Sequence, residues 1–268
     1  MRSRSMARET GPMARADAPA ALLAPEMEEM LRVIGGADSV ELKLTVGDED
    51  RQSAAAALGV DPLNARIRQV YFFDTPDLAL DRAGVVVRAR RTQGAPDDTV
   101  VKLRPVVPDD LPPELRARKD FVVEVDAMPG KYVCSASFKG QANSGTVKET
   151  VSGGQPLRKL FSKPQRAFFA DHAPEGVELD DLAVLGPVIA LKLKLLATGL
   201  DRKLAVELWL YPDGSRIAEL STKCAPADWL ETTTQSRDML QTAGVSLSGE
   251  QATKTRVALE YFAALAVE

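Results

Sequence analysis

The sequence is poor in the residues on which many catalytic and redox centres depend. It has two cysteines, one histidine and 5% aromatic residues among 268 positions. Cys134 and Cys224 are distant in the sequence and form no CxxC spacing, so the sequence predicts neither a disulfide framework nor a zinc site. The single histidine, His172, follows a helical pattern. This excludes a site built on paired histidines, and no motif supports a Ser-His-Asp triad.

Long apolar runs and a surplus of basic charge are also absent. No stretch of eighteen apolar residues occurs and the net charge is -4, which argues against a membrane span and against general binding of nucleic acid. We expect a cytoplasmic protein without membrane or nucleic-acid partners, as a monomer or homodimer. The first thirty residues lack the apolar centre of a signal peptide and weakly resemble a transit peptide. We expect residues 1–30 to be poorly ordered and 31–268 to form one domain ending in a helix.

Alternation of apolar and polar residues is the strongest pattern in the sequence. A two-residue period is typical of β-strands, and it recurs at 39–46, 65–74, 84–91, 98–104, 120–127, 188–195, 203–211 and 215–223. Helical patterns lie at 47–58, 158–172 and 248–265, while 139–156 is rich in Gly and Ser and is interpreted as a flexible connection. The sequence therefore predicts an α+β fold, with eight antiparallel strands in a closed or nearly closed sheet flanked by helices.

Charged residues collect on one face of these strands. In "SVELKLTV" the polar face carries Glu41 and Lys43, and in "GVVVRARR" it carries Arg88 and Arg90. For a single strand, a solvated polar face is the ordinary explanation. Over several strands, however, pairs of like charges repel each other. We therefore interpret this face as the lining of an enclosed site for a polyanion and metal ions.

A triphosphate satisfies the chemistry of such a lining. Arginine and lysine bind phosphate oxygens, and carboxylates bind Mg²⁺ or Mn²⁺ through oxygen. The predicted phosphate-binding residues are Lys43, Arg88, Arg90, Lys102, Arg104, Lys192 and Lys194. The predicted metal ligands are Glu41, Glu124, Asp126, Glu207 and Glu219.

Several of these segments resemble the CYTH superfamily, also called triphosphate tunnel metalloenzymes. The resemblance runs from about residue 39 to 223 and is most specific in "YFFDTPDLALDRAGVVVRARR", with "VELKL", "VVKLRP" and "VEVDAMPG" in support. It implies an eight-stranded antiparallel tunnel that binds a triphosphate and a divalent metal. Glu41 and Lys43 match the second acid and the base of the family's E-x-E-x-K signature, but Ser39 stands where the first Glu belongs. Ser221 similarly stands at the second position of a late acid pair.

Three functions remain open at this point. The first is metal-dependent hydrolysis of an inorganic or organic triphosphate, such as tripolyphosphate, ATP or thiamine triphosphate. The second is cyclisation of ATP to cyclic AMP. The third is a binding module for polyphosphate or nucleotide without turnover, which the serines at two expected acid positions favour. Weaker candidates for the site are the pairs Arg66/Arg68 and Lys254/Arg256, whereas Trp209 and Tyr211 could either stack on a base or simply pack.

Overall fold

The computed structural model describes residues 24–246, 251 and 253–265. Its centre is a closed barrel of nine strands in the order β1-β5-β6-β4-β3-β2-β7-β8-β9. The strands are β1 Ser39–Val46, β2 Arg66–Asp74, β3 Val85–Thr92, β4 Asp97–Leu103, β5 Phe121–Met128, β6 Lys131–Ala142, β7 Ala183–Leu196, β8 Lys203–Leu210 and β9 Arg216–Cys224.

The prediction of eight antiparallel strands was wrong in both number and direction. β1 pairs in parallel with β5 and antiparallel with β9, so the sheet is mixed. The additional strand, β6, overlaps the start of the segment 139–156 that the sequence predicts to be flexible. Its charge alternation is weak because its inward positions include serines, Ser135 and Ser137, while small residues such as Cys134 and Ala136 face outward.

Eight helices surround the barrel within the described residues. They are α1 Ala24–Gly36, α2 Arg51–Ala57, α3 Ala79–Arg82, α4 Pro113–Arg116, α5 Thr146–Val151, α6 Lys163–His172, α7 Trp229–Thr242 and α8 Lys254–Leu265. The helical predictions at 47–58, 158–172 and 248–265 correspond to α2, α6 and α8. Residues 248–250 and 252 of the third prediction lie outside the described part. Helix α1 begins within the segment 1–30 that the sequence predicts to be poorly ordered, and residues 1–23 lie outside the described part. No described helix is long and apolar enough to cross a membrane.

The main hydrophobic core lies outside the barrel, between the strands and the helices. Alternate residues of β3, such as Val85 and Val87, are buried in this core with Val101 of β4 and Phe168 of α6. Since successive side chains of a strand point to opposite faces, the charged residues that follow these valines in the alternation, Arg88 on β3 and Lys102 on β4, face the barrel interior. The outer layer thus stabilises the fold, and the interior is free to carry charge.

One end of the barrel is closed by apolar side chains. Phe72 and Trp209 contact each other there, with ring centroids 6.3 Å apart, and Leu259 and Phe262 of α8 belong to the same buried cluster. We call this the closed end. At the opposite end, called the exposed end, the barrel-facing strand positions include the exposed residues Arg66, Lys139, Lys194 and Lys223.

Candidate functional site

Three carboxylates meet on the neighbouring strands β1 and β5. The parallel register places Glu41 opposite Asp126 and Ser39 opposite Glu124. One oxygen from each of Glu41, Glu124 and Asp126 lies within 4.8 Å of the others. We call these three residues the acidic cluster. The Nζ atom of Lys43 lies 2.9 Å from Asp126 Oδ2 and 3.3 Å from Glu41 Oε2, so the E-x-K part of β1 and the E-x-D part of β5 form one site.

Lys43 favours the charged form of two carboxylates of the acidic cluster, Glu41 and Asp126, although both are largely buried. Burial opposes ionisation of Asp126 and Glu41, but Lys43 lowers the pKa of both carboxyls below their usual values. Burial likewise opposes the charge on Lys43, but Asp126 and Glu41 raise the pKa of this lysine. The attraction between Lys43 and these two carboxyls therefore favours the charged form of all three groups.

The donor set of the acidic cluster fits a hard divalent cation. Asp126 Oδ1 is buried and has no hydrogen-bond partner in the described part of the chain, although a buried polar atom normally has one. Ser39 Oγ donates to Glu124 Oε2 over 3.3 Å, and Lys223 also contacts Glu124. Three carboxylates with a free oxygen lone pair match the ligands of Mg²⁺ or Mn²⁺.

Two cations on the barrel-facing side of β3 and β4 have no ion-pair partner among the described residues. Lys102 is close enough to Asp126 and Glu124 for their charges to act on it, whereas Arg88 is influenced by Asp98 and Glu207. Arg88 and Lys102 lie on the adjacent strands β3 and β4, in a register that pairs Arg88 with Val100 and Lys102 with Val86. No hydrogen bond or ion pair joins either side chain to another described residue, and Arg88 Nε is buried. Burial, followed by the charge on Arg90, lowers the pKa of Arg88 to about 9. Burial lowers the pKa of Lys102 to about 8. Unpaired buried cations are costly, so this pair suits an anionic ligand.

The other predicted phosphate-binding residues differ from this pair. Arg90 Nε lies 2.9 Å from Asp98 Oδ1, and Arg104 Nη2 lies 3.4 Å from Asp81 Oδ1. Lys192, described below, also has a carboxylate partner, whereas Lys194 is exposed at the barrel end. Asp98 and Asp81 were missed in the sequence, although Asp98 is in phase with Lys102 on its strand. Carboxylates of the protein therefore already compensate much of the positive charge that the sequence predicts to bind phosphate.

Glu207 and Glu219 face each other on β8 and β9, apart from the acidic cluster. Lys192 Nζ lies 2.5 Å from Glu207 Oε1. Lys254 of α8 contacts Glu207 and lies 2.7 Å from Glu219 Oε1. Despite burial, Lys254 and Lys192 hold the pKa of Glu207 well below its usual value, whereas burial raises the pKa of Glu219. We call these two carboxylates the second acidic pair.

The structure separates the weaker candidates. Lys254 reaches the barrel interior, but Arg256 is exposed and pairs with Glu260 of its own helix. Trp209 belongs to the buried cluster at the closed end, so it packs there. His172 ends α6, where its Nδ1 lies 2.8 Å from the Phe168 carbonyl oxygen.

Comparison with known proteins supports the same architecture. No family model and no curated protein matches the sequence. A solved structure of a candidate adenylate cyclase from Bacillus halodurans matches with a TM-score of 0.56 at 12% identity, over 82% of this chain and 98% of that one. A candidate adenylyl cyclase from Hippeastrum, described as having a dominant triphosphatase activity, matches with a TM-score of 0.60 at 15% identity, over 82% and 95% of the two chains.

The chain shares the barrel fold of these two structures. The resemblance to the CYTH superfamily is thus confirmed at the level of fold, and the barrel interior is called the tunnel from here on. At these identities the likeness extends to the fold alone. The activity must be argued from the residues inside the tunnel.

Proposed function

We propose that this protein binds inorganic triphosphate together with Mg²⁺ or Mn²⁺ in its tunnel and hydrolyses it. The observation that carries the proposal is the position of Lys102, which lies near Asp126 and Glu124 of the acidic cluster and near Arg88. Neither cation has an ion-pair partner among the described residues. A polyanion satisfies the cations and a metal satisfies the carboxylates. The triphosphatase activity described for the Hippeastrum neighbour supports the same reaction.

The substrate enters from the exposed end, because α8 and an apolar cluster fill the closed end. Exposed basic residues at that end attract the anion, and Arg88 and Lys102 then bind phosphate oxygens within the tunnel. A hydrogen bond to a charged group contributes about 1.5–3 kcal/mol. The side chain of Lys43 is 19% exposed, so water reaches the acidic cluster inside the tunnel.

The reaction forms a bond between a water oxygen and the terminal phosphorus, while the bond from that phosphorus to the bridging oxygen breaks. Orthophosphate and diphosphate result. Glu41, Glu124 and Asp126 would hold the divalent cation, which supplies positive charge to the phosphate oxygens. Lys43, fixed between two of these carboxylates, keeps its proton and adds a further positive charge. The residues thus orient the substrate and stabilise developing charge, which is the main requirement of phosphoryl transfer.

The position of the aromatic residues favours an inorganic substrate over a nucleotide. Phe72 and Trp209 face the tunnel, but both are buried at the closed end. Among the described residues that face the tunnel near the exposed end, charged and small side chains predominate. Among these described residues a nucleoside base would find no aromatic ring on which to stack. The neighbour from Bacillus halodurans is nevertheless named for cyclase activity, so ATP belongs in the test.

The decisive experiment compares three substrates. The purified protein is incubated with tripolyphosphate, ATP or thiamine triphosphate in Mg²⁺ or Mn²⁺, and orthophosphate and cyclic AMP are measured. We expect orthophosphate release, fastest from tripolyphosphate. Formation of cyclic AMP from ATP would instead support adenylate cyclase activity. Calorimetric binding without any product would support the non-catalytic module, which Ser39 and Ser221 at expected acid positions favour. Absence of binding would refute all three.

The role of the acidic cluster is tested by Glu124→Gln, which preserves shape and removes one negative charge. Metal-dependent hydrolysis should collapse, while binding of tripolyphosphate in EDTA should persist or tighten, because the tunnel becomes more positive. Phosphate release and calorimetry are measured on the same preparation. Turnover at the wild-type rate would remove Glu124 from the metal site.

A further inference from the structure

The second acidic pair, Glu207 and Glu219, is closed by a lysine of the C-terminal helix. We propose that the ammonium of Lys254 is a built-in cation that takes the place of a metal ion at this pair, so that the tunnel binds one divalent cation, at the acidic cluster. The inference rests on the proposed metal site, and it narrows the ligand set that the sequence predicts. Five acids were predicted to bind metal, and only three of them are assigned to it here.

The first support is the saturation of Glu207. Its Oε1 accepts from Lys192 over 2.5 Å and lies 3.8 Å from Arg68 Nη1. Its Oε2 accepts from Lys254 and, over 3.1 Å, from Trp209 Nε1. The charge on this carboxylate is therefore already compensated by protein groups. A metal ion would have to displace at least one lysine to bind it.

The second support is the fixed position of Lys254. Its side chain is 12% exposed, and its Nζ lies 2.7 Å from Glu219 Oε1 and 5.1 Å from the centre of the Trp209 ring. Two carboxylates and an aromatic face form a built site for a cation. The ammonium stays there because α8 is anchored at the closed end by Leu259 and Phe262.

Tethering explains why this lysine would exclude a metal. A group attached to the same chain has a high effective concentration at its site. A free divalent ion therefore has to displace this tethered ammonium from Glu207 and Glu219 before it can bind them. The acidic cluster also holds a tethered lysine, since Lys43 pairs with Asp126 and Glu41. It differs in that Asp126 Oδ1 is buried without a partner in the described part of the chain, so this oxygen remains for a metal ion.

The test counts Mn²⁺ bound to the full-length chain without triphosphate, by calorimetry and by electron paramagnetic resonance. The wild type should bind one Mn²⁺. Glu219→Gln should leave the number unchanged and the affinity within about twofold, whereas Glu124→Gln should weaken binding at least tenfold. Two sites in the wild type, or a loss of affinity in Glu219→Gln as large as that in Glu124→Gln, would overturn the proposal.

Replacing the lysine provides the complementary measurement. Lys254→Met should open the second acidic pair and raise the number of bound Mn²⁺ from one to two. Lys194→Met is the matched control, because it removes the same charge from an exposed position, and it should still bind one. A folded Lys254→Met protein that binds a single Mn²⁺ would overturn the proposal that Lys254 takes the place of a metal ion. If Lys254→Met does not fold, the Glu219→Gln comparison decides.

These results are distinguishable from failure of the proposed function. A protein that binds one Mn²⁺ as expected but releases no phosphate from tripolyphosphate would refute hydrolysis and leave the role of Lys254 intact. A protein that hydrolyses tripolyphosphate with two bound Mn²⁺ ions would do the reverse. Absence of any bound Mn²⁺ would overturn both the acidic cluster and the inference that depends on it.

Discussion

Replacement of Lys102 by methionine should stabilise the unliganded protein while it weakens triphosphate binding. Methionine is similar in length and carries no charge. Burial lowers the pKa of Lys102 from 10.5 to about 8, and one pKa unit corresponds to about 1.4 kcal/mol. The charged lysine therefore destabilises the fold by about 3 kcal/mol at neutral pH, and Lys102→Met should recover a stabilisation of this order.

The pH dependence of this gain has a definite sign. Below about pH 8, Lys102 is protonated in both the folded and the unfolded chain, so the whole penalty is present. Between about pH 8 and 10.5 the unfolded chain keeps the proton and the folded chain loses it, so wild-type stability rises with pH. The difference between Lys102→Met and the wild type should therefore be largest at neutral pH and fade towards pH 10.5.

Urea unfolding in EDTA at pH 7 and at pH 9.5 measures both effects, with calorimetry of tripolyphosphate binding on the same proteins. Lys194→Met should change stability by no more than about 0.5 kcal/mol, as expected of an exposed position. A Lys102→Met protein less stable than the wild type at pH 7 would refute the reasoning. So would a stability difference that does not vary with pH, because it would arise from packing and not from charge.

Three further predictions concern the same tunnel wall. Arg88→Met should weaken tripolyphosphate binding about 10- to 150-fold in calorimetry, since one charge-assisted contact contributes about 1.5–3 kcal/mol, and unchanged affinity would exclude Arg88 from the site. Tripolyphosphate affinity should fall above about pH 8 as Lys102 loses its proton, and calorimetry in two buffers at pH 8.5 should detect proton uptake on binding. Asp98→Asn should release Arg90 from its carboxylate partner and tighten binding; weaker binding would contradict this role for Asp98.

Much of the barrel could be predicted because charge made its alternation visible. Every segment with an alternating pattern is a strand, from β1 to β9, with only β6 missed. In β6 the inward positions carry Ser135 and Ser137, whose side chains contrast little with their small outward neighbours. The direction of the strands was not predictable either. The parallel pairing of β1 with β5 joins strands that are distant in sequence, and local patterns contain no information about such contacts.

The face on which the site lies was predictable, but the partners within it were not. Alternation places Arg88 and Arg90 on the same side of β3. Whether each is paired depends on the cross-strand register, which places Asp98 opposite Arg90 and Val100 opposite Arg88. The alternation makes Arg88 and Arg90 equivalent, but only Arg90 has an ion-pair partner among the described residues. The contacts of Lys254 were still harder to predict, because this residue reaches the tunnel from a helix that follows the last strand.

The arrangement of the layers explains how this barrel can keep unpaired charge in its interior. The main apolar core lies on the outer faces of the strands, beneath the helices, and a smaller one fills the closed end. The remaining inner face therefore does not have to supply the hydrophobic stabilisation. Repulsion between Arg88 and Lys102, which have no ion-pair partner among the described residues, is instead tolerated until a ligand binds. Because a ligand that binds only the folded state stabilises it, the polyanion that relieves this repulsion should also complete the stability of the barrel. The site and the fold are therefore energetically coupled through the same side chains.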